Sequence, residues 1–215
     1  MNVLSLLIAI FLSYVLGSIP AAVWIGRLTH GIDIREHGSG NAGTTNTIRV
    51  LGWKVGIPVL LVDTAKGWTA SMLPVFFSLA PENTELLVDL QIVTGIIAIV
   101  GHIFPVLASF RGGKGVATVF GVGLAIHPAV TLCCFGVFVI VILISGISSL
   151  SSMCAGVSFP LLLLTVFNSP STLFKIFSVV VAVALLITHR KNIVRLARGE
   201  ETKLINLHKK EKSSE

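Results

Sequence analysis

The chain has 215 residues, of which 53% are apolar and only 12% charged, with a mean hydropathy of +0.91; soluble domains carry about 25% charged residues. That composition excludes a soluble globular protein and indicates an integral membrane one. Sixteen Lys and Arg against ten Asp and Glu give a net charge of +6, but aromatic residues do not interleave with the cations, so nucleic acid is not the expected partner and basic cytoplasmic loops account for the excess.

Residues 3–26 carry no charge, and the stretch exceeds the roughly 20 residues needed to cross a bilayer as a helix. With no basic segment before it and no small-x-small cleavage site, it reads as a retained span and not as a signal peptide. Apolar segments follow at 55–80, 86–108, 116–126, 129–145, 153–167 and 172–188. The breaks between them differ in charge. Residues 27–54 hold Arg27, Arg35, Arg49 and Lys54, residues 109–115 hold Arg111 and Lys114, and the tail holds Arg190, Lys191, Arg195, Arg198 and Lys203. The Pro81–Asp89 break is acidic and has no cation. Basic loops stay in the cytoplasm, which puts the three cationic breaks inside, the acidic one outside, and the N-terminus outside.

An even number of crossings must then separate Lys114 from His189. Breaks at His127–Pro128, Ser145–Ser152 and Asn168–Pro170 predict four, for an all-α polytopic bundle of seven transmembrane helices. Five is the alternative, because 116–126 rises only about 17 Å at 1.5 Å per residue. Residues 1–215 read as one membrane domain, with 189–215 a basic cytoplasmic tail. Asp63 and Lys66, at i and i+3, share a helical face inside a span, where they either neutralise each other or touch a functional site. Cys133, Cys134 and Cys154 lie in apolar runs without a CxxC partner and read as buried, inert thiols. No metal or cofactor is expected.

Three polar, glycine-rich clusters carry the chemistry. The first runs from Gly38 through Ser39, Gly40, Asn41, Thr45 and Asn46 to Arg49, the second from Gly101-His102 to Gly112-Gly113-Lys114-Gly115 and Thr118, and the third from His189 through Asn192 and Arg195 to Glu201. Each joins small residues, whose N–H groups can approach a ligand closely, to a cation, as phosphate binding requires. Gly112–Gly115 is not a nucleotide-hydrolysing loop, because Gly115 stands where a magnesium-binding Ser or Thr is needed; it reads as a phosphate nest opening onto a helix that begins near Val116. Arg49 offers a bidentate fork. Taken singly, the first cluster is also compatible with a loop capping the next helix at Thr45 or Asn46. The third is compatible with a basic helix on anionic lipid. The charge pattern puts all three on one face.

In order and spacing, these stretches resemble the three signature motifs of the bacterial acyl-phosphate:glycerol-3-phosphate acyltransferases, the PlsY family. Arg111 stands where Lys is common and Thr44 where Ala is common. The resemblance implies a multi-pass protein of the bacterial cell membrane whose site faces the cytoplasm. Its activity would be transfer of a fatty acyl group from acyl phosphate to the 1-hydroxyl of glycerol 3-phosphate, giving lysophosphatidic acid. The lipid bilayer is a partner, and a functional link to the enzyme supplying acyl phosphate is implied. The expected catalytic residues are Ser39, Arg49, Lys114, His189 and Asn192, with Asn192 orienting His189. Gly38, Gly40, Asn41, Thr45, Asn46, Gly112, Gly113, Gly115 and Arg195 would hold phosphate, and Glu201 would pair with a cluster arginine. None of the His residues begins the His-x4-Asp motif of acyltransferases that use CoA or acyl carrier protein. A transporter of an organic phosphate is the rival reading, but its polar groups would be needed near the bilayer midplane.

Overall fold

A computed structural model describes residues 2–167 and 171–205. The Asn168–Pro170 break and the tail from 206 onward lie outside the described residues. Among those described, the chain forms ten α-helices, two short 3-10 turns and no strand. The helices are α1 (Val3–Gly17), α2 (Ala21–His30), α3 (Thr44–Leu51), α4 (Trp53–Phe76), α5 (Glu85–Ile103), α6 (Val116–Ile126), α7 (Pro128–Ser145), α8 (Ser148–Thr165), α9 (Thr172–Thr188) and α10 (Arg190–Ala197).

Polar residues at the ends of apolar runs set several helix starts, because a side-chain oxygen there satisfies an otherwise unpaired N–H. Thr84 accepts from the N–H of Leu87, Ser171 from that of Phe174, and Asn2 from that of Leu4. At His127–Pro128 the proline occupies the first turn of α7, where its missing N–H costs nothing. Gly146, left-handed at φ +72°, ends α7. The cap of α3 departs from expectation. Gly43 fills that position, and Thr45 and Asn46 lie inside the helix.

The uncharged stretch 3–26 is not one helix, since it breaks at Ser18–Pro20 and the two pieces meet at 41°. Proline lacks the N–H that would continue the ladder. By length and composition α5, α7 and α8 can each cross a membrane, and the number rises to five if α1 with α2, and α9 with α10, each count as one bent span. The 24 residues of α4 rise about 36 Å, but they carry Asp63 and Lys66. The chain is a multi-pass membrane protein.

Helices meet closely where glycine allows it, as is common in membrane bundles. Gly17 of α1 faces the backbone of Ala98 in α5, and Gly121 of α6 faces the carbonyl of Thr64 in α4, in each case so tightly that a Cβ would overlap. The largest apolar core joins Ile92 of α5, Val122 of α6, Val130 of α7, Phe159 and Leu163 of α8, and Phe174 of α9. The cysteines are free, but they are not buried as expected: Cys133 is exposed and the other two are half-buried. The surface of α7 also exposes Leu132, Ile140 and Ile144. Apolar side chains facing hydrocarbon need no protein cover.

Candidate active site

The seven apolar segments bring one set of ends to a common polar face. There the start of α4, the start of α6, the end of α7, the start of α8 and the end of α9 surround a cavity of about 1050 Å³. Its polar part is lined by Ser39, Asn41 and Arg49, by Lys114 and Gly115, and by His189, Asn192 and Glu201, so the three sequence clusters share one cavity. Its other part is apolar, with Leu124, Phe135, Phe138, Phe159 and Val181 in the walls.

Two loops make the polar part. In the first, Gly38 and Gly40 are left-handed at φ +60° and +71°, a conformation glycine adopts without steric cost. Asn46 is 1% exposed, and its polar atoms hold this loop: the amide donates to Ile34 O at 3.1 Å and His37 O at 3.0 Å, and Oδ1 accepts from the Ser39 N–H at 2.8 Å. It therefore positions Ser39 and does not itself offer a group to phosphate. Thr45 Oγ1 pairs with Ser148 Oγ at 2.9 Å, tying α3 to α8. Arg35 donates to Ala108 O at 2.8 Å and pairs with Asp33, joining the first loop to the second.

The second loop also departs from expectation. The N–H groups of Gly112 and Gly113 donate to Ile103 O and His102 O, each at 3.2 Å, so they are not available to a ligand. Neither residue is left-handed. They must be glycine because a Cβ on Gly112 would overlap His102 O, and one on Gly113 would overlap His102 Nε2. What remains for an anion is the start of α6. Gly115, left-handed at φ +81°, precedes that helix without a side-chain cap, so the first N–H groups of α6 are unpaired and carry the positive end of the helix dipole. Gly115, Val116 and Ala117 line the cavity.

The charges fall into two sets. Glu201 accepts from Ser149 Oγ at 2.8 Å, Asn192 Nδ2 at 2.6 Å and Arg195 Nε at 2.6 Å. Burial alone would raise its pKa, but these hydrogen bonds and the charge of Arg195 hold the carboxyl below its ordinary value. Lys114 Nζ donates to Asn192 Oδ1, so Asn192 bridges Lys114 and Glu201. It does not orient His189. The ring of His189 is held by its own turn, with Nδ1 2.8 Å from Leu185 O, which assigns the proton to Nδ1 and leaves Nε2 as an acceptor. Burial lowers the pKa of Lys114 to about 8, with Arg195 and Arg49 opposing its charge and Glu201 favouring it. Neither Lys114 nor Arg49 has a carboxylate in salt-bridge contact among the described residues, and Arg49 Nε and Thr44 Oγ1 are buried without a hydrogen-bond partner. Buried donors without partners are uncommon in proteins; here they line a cavity that can admit an anion.

Ser148 and Ser149 belong to the site although sequence reasoning took them only as a break between spans. The signal was the serine-rich run Ser145–Ser152 in an otherwise apolar region.

The fold and cavity define a class: a multi-pass helical membrane protein with a cationic pocket at one end of an apolar slot. Comparison with known proteins narrows it. The family model described as glycerol-3-phosphate acyltransferase matches residues 7–199. Proteins of that name from Chlorobaculum tepidum and Pelodictyon phaeoclathratiforme are 40% and 39% identical, each alignment covering 94% of this chain and 97% of the relative. The crystal structure of PlsY (YgiH), an integral membrane glycerol 3-phosphate acyltransferase, in its glycerol 3-phosphate form superposes with a TM-score of 0.82 at 35% identity, covering 93% of this chain and 95% of that one. Its lysophosphatidic acid form gives 0.79 at 34% identity. The chain belongs to the glycerol-3-phosphate acyltransferase family and is a membrane acyltransferase.

A cationic pocket with unpaired donors should be stabilised by the anion it binds. Inorganic phosphate is expected to raise the thermal midpoint of the purified protein, and Arg49→Gln should remove most of that shift while leaving the midpoint without phosphate near that of wild type. A wild-type midpoint insensitive to phosphate would count against the anion site.

Proposed function

We propose that this chain transfers the acyl group of an acyl phosphate to the 1-hydroxyl of glycerol 3-phosphate, forming lysophosphatidic acid and releasing phosphate. One observation carries this reading: Lys114 and Arg49, which have no carboxylate in salt-bridge contact among the described residues, line the same cavity as an apolar slot. A donor with a phosphate head and a hydrocarbon tail matches both parts. The acceptor's phosphate fits beside Arg49, and the relatives' name and the glycerol 3-phosphate form of the neighbour support that substrate.

The hydroxyl oxygen of the acceptor attacks the acyl carbon. The new C–O bond forms, the C–O bond to phosphate breaks, and phosphate leaves with the electron pair. The hydroxyl proton passes to His189 Nε2 or to a substrate phosphate oxygen, and both routes balance. Acyl phosphate is already a mixed anhydride, so no acyl-enzyme is needed. Lys114 and the start of α6 offset charge growing on the carbonyl oxygen and leaving group, where fixed donors in a site shielded from water act most strongly. Arg49 and Ser39 hold phosphate, with Asn41, Thr45, Gly38 and Gly40 shaping the loop. Asn192 positions Lys114, and Arg195 keeps its outer nitrogens for phosphate while Nε pairs with Glu201.

We further propose seven membrane segments in a single 1–215 domain, with the N-terminus outside and the site facing the cytoplasm of a bacterial inner membrane. The acyl phosphate would come from a separate enzyme. In support, all three basic clusters lie at the cavity end and the acidic Pro81–Asp89 turn lies at the opposite end of α4 and α5.

The decisive assay supplies purified protein in lipid with labelled glycerol 3-phosphate and a choice of donors. Product should form from acyl phosphate and not directly from acyl-CoA; equal or faster turnover of acyl-CoA would overturn the donor assignment. For Lys114, alanine should lower kcat about 100-fold. Because burial lowers its pKa to about 8, the charge is present below that pH and lost above it, so kcat/KM of wild type should fall as pH rises through about 8. Lys114→Arg stays charged and should abolish that alkaline limb; a limb kept by the arginine variant would assign it to another group. In a background without the native cysteines, Glu36→Cys and Arg198→Cys should react only from the cytoplasmic side and Glu82→Cys only from outside. The reverse pattern, or a mixed one, would refute the orientation.

A further inference from the structure

Three ionisable side chains are buried together beside the cation cluster, two of them (Asp63 and His102) in the lining of the same cavity, and the reaction above does not use them. Asp63, Lys66 and His102 are 2%, 4% and 6% exposed. Lys66 Nζ lies 2.8 Å from Asp63 Oδ1 and donates to Ile19 O at 2.9 Å, at the break between α1 and α2. His102 Nδ1 is 3.5 Å from the same Asp63 oxygen. The other edge of the ring meets Gly113, where a Cβ would overlap Nε2 and come within 2.8 Å of Ala42 O in the first loop. The main chain of the same histidine holds the same glycine, because His102 O accepts from the Gly113 N–H at 3.2 Å. The next residue is Lys114.

Contact therefore runs without interruption from the α1–α2 break through Lys66, Asp63 and His102 to Gly113. Ions inside a membrane are costly unless paired, and a cluster of them is retained where it does something beyond filling space. Removing one member leaves a buried charge unmatched, so the arrangement resists displacement. Its last member touches the catalytic loop at a residue that tolerates no side chain. A ring held beneath Gly113 by its contact with Asp63 sets how far the loop sinks toward α4 and α5, and hence where the Lys114 ammonium sits relative to Asn192.

We propose that Asp63, Lys66 and His102 form a positioning stack that fixes the Gly112–Gly115 loop and so aims Lys114 into the cavity, an inference that rests on the acyl-transfer reading above. The three act through Gly113, not on substrate, and the fit is reciprocal: His102 needs glycine at 113, and Gly113 needs the ring beneath it.

Kinetics of purified, monodisperse variants test this. His102→Ala and Gly113→Ala should each lower kcat about tenfold or more, since small misplacements of a catalytic group cost that much, while the KM for glycerol 3-phosphate changes by less than about threefold. The double variant should be no slower than about twofold below the worse single one, because removing the ring relieves the nearer clash of the new methyl. Thermal midpoints measured in parallel separate lost fold from lost aim. If His102→Ala yields no monodisperse protein, His102→Phe keeps a ring but ends the link to Asp63 and should show the same fall in kcat. Losses that multiply in the double variant, an unchanged kcat in His102→Ala or His102→Phe, or a kcat loss explained by the unfolded fraction would each overturn the positioning stack alone. A wild-type protein that does not turn over acyl phosphate with glycerol 3-phosphate would overturn the underlying reading, and this inference with it.

Discussion

Glu201 holds the polar end of the cavity together. One carboxylate accepts hydrogen bonds from Ser149 of α8 and from Asn192 and Arg195 of α10, and through Asn192 it reaches Lys114 at the entrance to α6. Three donors from two helices converge on its two oxygens. Charge-assisted hydrogen bonds of this kind are short and directional, and in a half-buried setting the loss of any donor leaves the carboxylate underpartnered. Glu201 also decides which cations are occupied. Arg195 is paired through Nε only, whereas Lys114 is held through a neutral amide and Arg49 has no carboxylate in salt-bridge contact among the described residues. Neutral tethering positions an ammonium without cancelling its charge, which is what a group meant to meet an incoming phosphate requires.

The surrounding bundle keeps polar and apolar functions at opposite ends of one cavity. Close glycine contacts at Gly17 and Gly121 draw α1 to α5 and α4 to α6, and the short α6 places its unpaired N–H groups beside the cations. The aromatic and aliphatic side chains of α6 to α9 continue the cavity into hydrocarbon-like surroundings. In the proposed reaction, a donor anchored in the bilayer presents its reactive end at the boundary between the two, and a water-soluble acceptor arrives from the polar side. The buried Asp63–Lys66–His102 group lies against the same cavity, with Asp63 and His102 in its lining, and the low dielectric there strengthens its internal attractions.

Much of this was legible in the residues. Apolar runs located the helices, and loop charges grouped three clusters on one face that the structure brings to one cavity. Individual roles were less legible. Gly112 and Gly113 read as a phosphate nest, but their N–H groups are occupied by Ile103 and His102, and they are glycine because of what lies beneath them. Asn46 read as a ligand or a cap and is a buried fastener of the first loop. Asn192 read as a partner of His189 because i, i+3 spacing places residues on one helical face, but His189 caps α9 and the chain bends by 61° between α9 and α10. Ser148 and Ser149 were overlooked because a hydroxyl at the end of an apolar run serves equally well as a helix start.

The sequence by itself determined the class of molecule, the helical architecture, the three clusters and the family resemblance, because hydropathy, charge and local motif depend on residues near one another in the chain. Only the tertiary structure decided which donors remain free, which cation Glu201 pairs with, and what stands under Gly113. Those outcomes depend on pairings across long separations, such as 78 residues between Lys114 and Asn192 and 52 between Ser149 and Glu201. A polar atom has few hydrogen bonds to give, and no local pattern states which distant partner will take them.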